Sequence, residues 1–423
     1  MYFRLRHLLL FSLFLCLTPL ALSAQLASDN GDEVLQKEDW LADGVELGKK
    51  KKFQQAASKF ERALDSWQTY HHARLYLQII EDQSNELIKN KYAAEIFKSV
   101  HENFQGKQKS ALKKINKVIK KNKAYFPAYL VKGEILNSYE RTEEAEAIYS
   151  NAIELAKEAS LPLVFRGKFF EKNLEYTRAA ADFSRAITLA PSETAIFFTR
   201  GFVFCLQRKY DQAIADFEAA AKKYPQWQNS TIVFEAYYNR AIQRMQKKSY
   251  RKAIADFTHA IRIDPAYLQA HLNRGIAYKN IKQYSKAKQD FQYCTDKNPN
   301  LADAYYQRAT MNYTRGKYRS ASNDLAQVLK IEPNNSKALV KLGQTQSKLG
   351  RYKDALKQYD KVLALNSNYV LAHYEKGLAL KGLRKSSQAI QSFQRFIQLA
   401  PERYYKQIAL AKVEIQKLKR ASK

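Results

Sequence analysis

Apolar residues are distributed along this chain in two ways. From Leu8 to Leu22 they form one stretch behind Arg4 and Arg6. From about residue 37 onward they return every three or four positions, the period of a helix with one buried face. Ala111, Ile115 and Val118 make such a stripe beside Lys113, Lys114, Lys117 and Lys121. That stripe predicts the second helix of a helical pair, the other reading being a basic helix lying on a membrane surface. Leu75, Ile79, Ile80 and Leu87 predict a helix over 71–91. A last helix carries Ile408, Ala411, Ile415 and Leu418 on one face, with Lys406, Lys412, Lys417 and Lys419 elsewhere, as a solvated cap requires.

The first apolar stretch reads differently. It is about 15 residues, short of the roughly 20 that span a bilayer. Its charged start, Pro19 and the small Ser23 and Ala24 suit an export signal over 1–24, cleaved near Ala24. A retained N-terminal anchor is the alternative. Leu15 is too bulky before Cys16 for a lipoprotein site. The expected location is therefore the periplasm, or a secretory pathway and the extracellular space.

Self-similarity dominates the rest. RGFVFCLQRKYDQAIADFEAAAKKYP ends at Pro225, RAIQRMQKKSYRKAIADFTHAIRIDP at Pro265 and RGIAYKNIKQYSKAKQDFQYCTDKNP at Pro299. RATMNYTRGKYRSASNDLAQVLKIEP ends at Pro333. The period is 34, interrupted once by the insertion at 228–233. Small, small, aromatic, small and Pro recur as Gly167, Ala179, Phe183, Ala186 and Pro191, then as Gly201, Ala213, Phe217, Ala220 and Pro225. They return as Ala241, Ala253, Phe257, Ala260 and Pro265, and as Gly275, Ala287, Phe291, Cys294 and Pro299. Later copies are more worn: Gly343, Ala355, Tyr359 and Val362, then Gly377, Ala389, Phe393 and Pro401.

This pattern resembles the tetratricopeptide repeat. The resemblance implies an all-α, right-handed superhelical solenoid of antiparallel helix pairs with a concave groove. Irregular helices, including one degenerate repeat at 37–70, are expected over 25–91. Nine tandem repeats follow over 92–403, then a capping helix and tail over 404–423. Small residues let the paired helices approach, and proline ends the second helix. A single hairpin leaves an apolar face in water, so stacking stabilises it.

Five successive copies carry Arg at position 7 and Asp at position 23: Arg166 and Asp182, Arg200 and Asp216, Arg240 and Asp256, Arg274 and Asp290, Arg308 and Asp324. The next two copies lose both, with Leu342 opposite Gln358 and Lys376 opposite Ser392. Joint presence and joint loss predict partly buried ion pairs, since a lone buried carboxylate is costly. The alternative is an arginine clamp for a ligand.

The resemblance also places positions 2, 5, 9, 12 and 13 of each first helix in the groove. In this chain these include Phe198, Phe202, Tyr238, Met245, Gln269, Asn280, Tyr306 and Tyr313. Such an aromatic, mildly polar lining suits a protein or peptide partner; the other reading is packing between repeats.

Charge adds a second surface. The 423 residues hold 71 Lys and Arg against 41 Asp and Glu, a net +30. From residue 234 onward the ratio is 37 to 13, whereas 126–233 is nearly neutral at 13 to 14. Much of the excess falls between paired helices, at Arg208, Lys209, Lys247, Lys248, Lys282, Arg315, Lys317, Arg351, Arg384 and Lys385. Copies stacked about 10 Å apart would align these in a basic edge, which an anionic polymer or membrane surface would feel collectively. Ordinary solvated turns are the plainer reading. Nucleic acid fits the charge, but export disfavours it.

Catalysis finds no motif: no glycine-rich phosphate loop, no HExxH and no paired-cysteine metal spacing. His71 and His72 are adjacent and point to different sides of a helix. No catalytic residue, metal, cofactor or small-molecule substrate is expected. Cys205 and Cys294 sit in apolar helical patterns, as buried thiols or, after export, as a long-range disulfide. The expected function is a non-catalytic exported scaffold or adaptor that holds a protein segment in its groove. The alternative is a binder of anionic polymer or membrane surface.

Overall fold

The structure is a computed structural model that describes the backbone of residues 31–421 and the side chains of residues 40–420. The expected export signal at 1–24, with Cys16, lies outside the described residues. Apart from turns and short loops, the described residues are helical. They divide between Arg240 and Ala241 into two compact units.

The first unit contains α1 (Gly31–Lys49), α2 (Phe53–Ala63), α3 (Tyr70–Ser84), α4 (Asn90–Phe104), α5 (Gln108–Lys121) and α6 (Phe126–Ser138). It continues with α7 (Thr142–Leu155), α8 (Ser160–Lys172), α9 (Tyr176–Leu189), α10 (Thr194–Leu206), α11 (Tyr210–Ala221) and most of α12 (Thr231–Gln246). Hairpins α1/α2, α4/α5, α6/α7, α8/α9 and α10/α11 stack in series. The chain's own order is broken once. Hairpin α1/α2 stacks directly on α4, with Phe60 and Phe97 parallel at 5.9 Å. Helix α3, between them in sequence, packs against α2 and α4 and also reaches α6 and α8, the first helices of later hairpins.

The second unit contains α13 (Tyr250–Ile263), α14 (Leu268–Asn280), α15 (Tyr284–Lys297), α16 (Ala302–Thr314) and α17 (Tyr318–Ile331). Then come α18 (Ser336–Lys348), α19 (Tyr352–Leu365), α20 (Val370–Gly382), α21 (Ser386–Leu399) and α22 (Tyr405–Ala421). Hairpins α14/α15, α16/α17, α18/α19 and α20/α21 stack in series beside α13, and α22 caps the stack with Ala411 and Leu418 buried against α21.

Repeat chemistry dictates the hairpin. The aromatic of each second helix lies on the small residue of its first helix. At Gly275 an added Cβ would sit 2.7 Å from the Phe291 ring, so no larger residue fits without displacing it. The turn joining the two helices requires one left-handed residue, at Gly106, Glu140, Leu174 and Arg208 in the first unit. Lys248, Lys282, Gly316, Gly350 and Arg384 take the same place in the second.

Candidate functional site

The paired arginines and aspartates meet, and each bond has a third member. Arg166 donates from Nε and Nη2 to both oxygens of Asp182, each at 2.8 Å, and from Nη1 to Ser150 Oγ at 3.1 Å. Arg200 repeats this with Asp216 at 2.8 Å and Ser184 at 3.0 Å. Arg274 does so with Asp290 and Thr258, and Arg308 with Asp324 and Gln292. The third member always comes from the second helix of the preceding copy. The group is therefore a staple both within a hairpin and between hairpins. Arg240 and Asp256 fall in different units; in their own units, Arg240 donates to Asp211 at 3.0 Å and Asp256 accepts from Arg244 at 2.6 Å. The last copy keeps only the arm between hairpins, as Lys376 with Asp360 at 2.6 Å. With Asp182, Asp216, Asp290 and Asp324 buried, the four arginine-centred groups hold the stack.

The first unit carries its own occupant on the face of its first helices. Trp67 lies 5.3 Å from Phe198 and 5.4 Å from Phe202, ring to ring. From α3, His71 Nε2 meets Thr199 Oγ1 at 2.8 Å, His72 Nε2 meets Glu134 Oε2 at 3.0 Å, and Arg74 reaches Glu193 at 3.2 Å. Burial drives the His71 pKa well below its usual value, with the Lys168 and His72 charges adding to it. Burial also opposes ionisation of Glu134, but the His72 and Tyr149 bonds together hold its carboxyl below the usual range.

The turn that leads into the insertion clamps the start of this helix. A short 3₁₀ turn, Pro225–Asn229, brings Trp227 parallel to Tyr224 at 4.1 Å and edge-on to Tyr70 and Phe198. Its indole Nε1 donates to the Asp65 carbonyl at 2.8 Å. Phe198 and Phe202 therefore do not line a free groove, which corrects the sequence expectation. They are buried under Trp67 of the same chain, because the irregular helix at 71–91 folds back onto the repeats rather than extending the stack.

Among the described residues, the same face of the second unit carries no inserted helix. Tyr306 and Tyr313 are half-buried on α16, with Tyr313 edge-on to Tyr318. Gln269 and Asn280 are exposed; Gln269 donates to Asn273, and Asn280 to its own helix at the Ile276 carbonyl. Met245 is half-buried near the end of α12, and Tyr238 stacks on Phe234 in the first unit. Sequence reading missed three members of this face. Lys279 Nζ donates to Gln307 Oε1 at 2.6 Å and Thr310 Oγ1 at 3.2 Å. Lys341 Nζ lies 4.6 Å above the Tyr313 ring. Glu375 accepts from Gln344 at 2.8 Å. Lys341 and Glu375 sit at position 6, which the family's groove pattern omits, although Thr199 at that position meets α3 in the first unit.

The basic-edge residues are all exposed at hairpin turns. Arg208 and Lys209 stand on the first unit, the rest on the second, where Arg315 also lies over the Tyr284 ring at 5.2 Å. Cys205 and Cys294 are buried free thiols, and burial pushes Cys294 up to about 12. Among the described residues there is no cluster of metal-ligating side chains, and no helix is long and apolar enough to cross a membrane.

Stacked helical hairpins with a small-residue and aromatic signature define a repeat-scaffold class. Models of the tetratricopeptide repeat match residues 166–226, 206–267, 269–301, 313–377 and 370–403, together more than half of the chain. The chain belongs to the tetratricopeptide-repeat family. No curated protein matches it. Among solved structures, it resembles "Structure of Naa15/Naa10 bound to HypK-THB" at 17% identity and a TM-score of 0.51, over 78% of this chain and 51% of that one. It is also similar to MamA, at 20% identity and a TM-score of 0.37 over 40% of this chain and 92% of that one. A third similarity is to MamA residues 41 to the end from Desulfovibrio magneticus RS-1, at 19% identity and a TM-score of 0.38, over 39% of this chain and 94% of that one.

Proposed function

We propose that this chain is a non-catalytic scaffold that binds a segment of a protein partner on the first-helix face of its second unit. One observation carries the reading. In the first unit the equivalent face is filled by the chain's own α3, which shows what kind of object these positions accept. In the second unit the face presents Tyr306, Tyr313, Lys279 and Lys341, and among the described residues no inserted helix lies on it. Helices laid in grooves are a common way to bind a partner. The solved structure it resembles over 78% of its length is itself a complex with partner proteins. The charged start and short apolar stretch of residues 1–24 support export, with a retained anchor as the alternative.

Site-specific photo-crosslinking tests the binding face. A photoreactive residue in place of Tyr306 should capture a discrete partner in the native compartment, and one in place of Phe202 should capture none. Equal labelling from both positions would overturn the reading.

A second reading rests on the exposed basic turns: Lys247, Lys248, Lys282, Arg315, Lys317, Arg351, Arg384 and Lys385 of the second unit. They support binding of an anionic polymer or membrane surface. That binding should fall steeply between low and physiological salt, whereas capture by aromatics should survive.

A further inference from the structure

The last helix of a solenoid ordinarily turns a polar face to water. Helix α22 does so only in part. Its inner face packs Ile408, Ala411, Ile415 and Leu418 against the last hairpin. On its outer face Tyr405 is 65% exposed, Leu410 56% and Val413 45%. Leu410 and Val413 are three residues apart and so are neighbours on one side of the helix. Lys406 stands four residues before this pair and Lys417 four after it, both exposed and on the same line. The stripe thus reads cation, two aliphatics, cation, and the exposed Arg420 continues it. Exposed Ala409 and Lys412 flank Val413.

Charge on this end of the unit is one-sided. Residues 402–420 hold Arg403, Lys406, Lys412, Lys417, Lys419 and Arg420 against only Glu402 and Glu414. Glu414 is already taken: Lys381 pairs with it at 2.5 Å, and Lys417 lies 3.9 Å away. The first of these pairs sets the cap beside the turn at Arg384 and Lys385, which adds two exposed cations and no acid. Exposed aliphatic side chains ringed by excess cations fit a surface that is anionic and also takes up hydrocarbon. A second copy of the chain does not fit, because a two-fold contact would set these cations against themselves. The face is also the convex outside of one helix rather than a groove, which suits a flat lipid interface over a protein segment.

We propose that the outer face of α22 docks this protein on an anionic lipid surface, with Leu410 and Val413 entering the headgroup layer and Lys406, Lys412, Lys417 and Arg420 meeting its charges. The inference rests on the second reading above and narrows it: the anionic partner is a membrane, and the contact is the cap rather than the hairpin turns alone. Helices that lie on a membrane bind in this way, with apolar residues at the level of the headgroups. Lysine stems lie along the apolar surface while their ammonium groups reach the charged layer. Each added cation strengthens the attraction, and salt screens it within a Debye length.

The test uses the full chain, with Val413→Trp as a reporter on the cap itself. The vesicles have brominated acyl chains and contain phosphatidylcholine alone or with about one-third phosphatidylserine. In the mixed vesicles the emission of Val413→Trp should shift to the blue and be quenched. The wild type, with Trp40, Trp67 and Trp227 all in the first unit, should change little. Phosphatidylcholine alone should give neither effect. Lys406→Gln with Lys417→Gln, and separately Leu410→Ser with Val413→Ser, should each weaken sedimentation with the mixed vesicles by about tenfold. Lys247→Gln with Lys248→Gln, on the turn before α13, should weaken it less than about threefold. Thermal melts confirm that each variant folds. If the vesicles bind but Val413→Trp stays unquenched, or both cap variants bind as the wild type does, the proposal falls and the hairpin turns keep the second reading. If no vesicle binds but heparin does, the lipid inference fails and the second reading stands for a polymer. If neither binds, both fall.

Discussion

The indole of Trp227 donates to the main-chain carbonyl of Asp65 at 2.8 Å, joining residues 162 positions apart. It ties the 3₁₀ turn that leads into the insertion to the loop that leads into α3, the helix that fits no repeat. The two irregularities are therefore one device: α3 fills the face of the first unit, and the 3₁₀ turn closes over its end. Trp227 is 4% exposed and packs on Tyr70, Phe198 and Tyr224. Trp227→Ala should cost about 3–5 kcal/mol, as large core truncations do. Trp227→Phe keeps most of the packing and should cost about 1 kcal/mol for the lost hydrogen bond. Denaturant melts measure both, and limited proteolysis should cut the Ala variant first near residues 64–69. Wild-type protection there in the Ala variant would contradict the clamp.

Acid should loosen α3 before it unfolds the repeats. His71 is buried, bonded to Thr199, and faces Lys168, His72 and the Tyr70 ring. Its folded pKa lies below the ordinary value of 6.5, so the unfolded chain binds the proton more readily. Stability is therefore complete above about pH 6.5 and falls as pH drops, by up to ~1.4 kcal/mol per unit, until the folded pKa is reached. Glu134, held below its usual value of 4.5, contributes its own loss only under that pH. Urea melts at pH 7.5 and 5.0 should separate, and His71→Gln should remove most of the difference. Unchanged separation in that variant would show that other groups carry it.

Repeat copies were legible because each position has one physical job. Gly275 is small because Phe291 covers it, and Arg274 pairs with Asp290 because a hairpin buries both. The first-helix face of the second unit was half legible. Tyr306 and Tyr313 fall at positions that a repeat frame assigns to it, but Phe198 and Phe202 fall there too and are covered. Nothing local in 71–91 says which surface its apolar stripe meets, since α3 belongs to no frame. Leu87, expected on that stripe, is 70% exposed in the turn beyond α3. The third member of each staple also escaped notice. Ser150, Ser184, Thr258 and Gln292 share a place but no side-chain type, so no motif marks them.

Breaking a staple should be far more damaging than removing a surface charge. Asp290→Ala leaves the Arg274 guanidinium half-buried without its counter-ion, which costs about 3–5 kcal/mol. Asp296→Ala removes an exposed partner of Gln292 and should cost about 0.5 kcal/mol or less. Arg274→Leu combined with Asp290→Leu should recover much of the single-variant loss, because both desolvation costs disappear together. Chemical denaturation of the wild type, Arg274→Leu, Asp290→Leu and the double variant closes the cycle. Equal losses for Asp290→Ala and Asp296→Ala would remove the staple from the account of stability.

Turns between paired helices store a cost that some copies avoid. Gly316 and Gly350 take positive φ without penalty, whereas Leu174 holds φ +63° with a Cβ and is 55% exposed. A left-handed L-residue costs about 1–2 kcal/mol, partly offset because glycine loses more backbone freedom on folding. Leu174→Gly should therefore stabilise the first unit by about 0.5–1 kcal/mol, and Gly316→Ala should destabilise the second by about 1 kcal/mol. An added Cβ at Gly316 meets nothing within 4 Å, so any loss there comes from the backbone angle alone. The pair thus isolates one term, φ, in two directions. Thermal melts read it directly: if both substitutions shift the midpoint the same way, the left-handed turn is not what makes these positions differ.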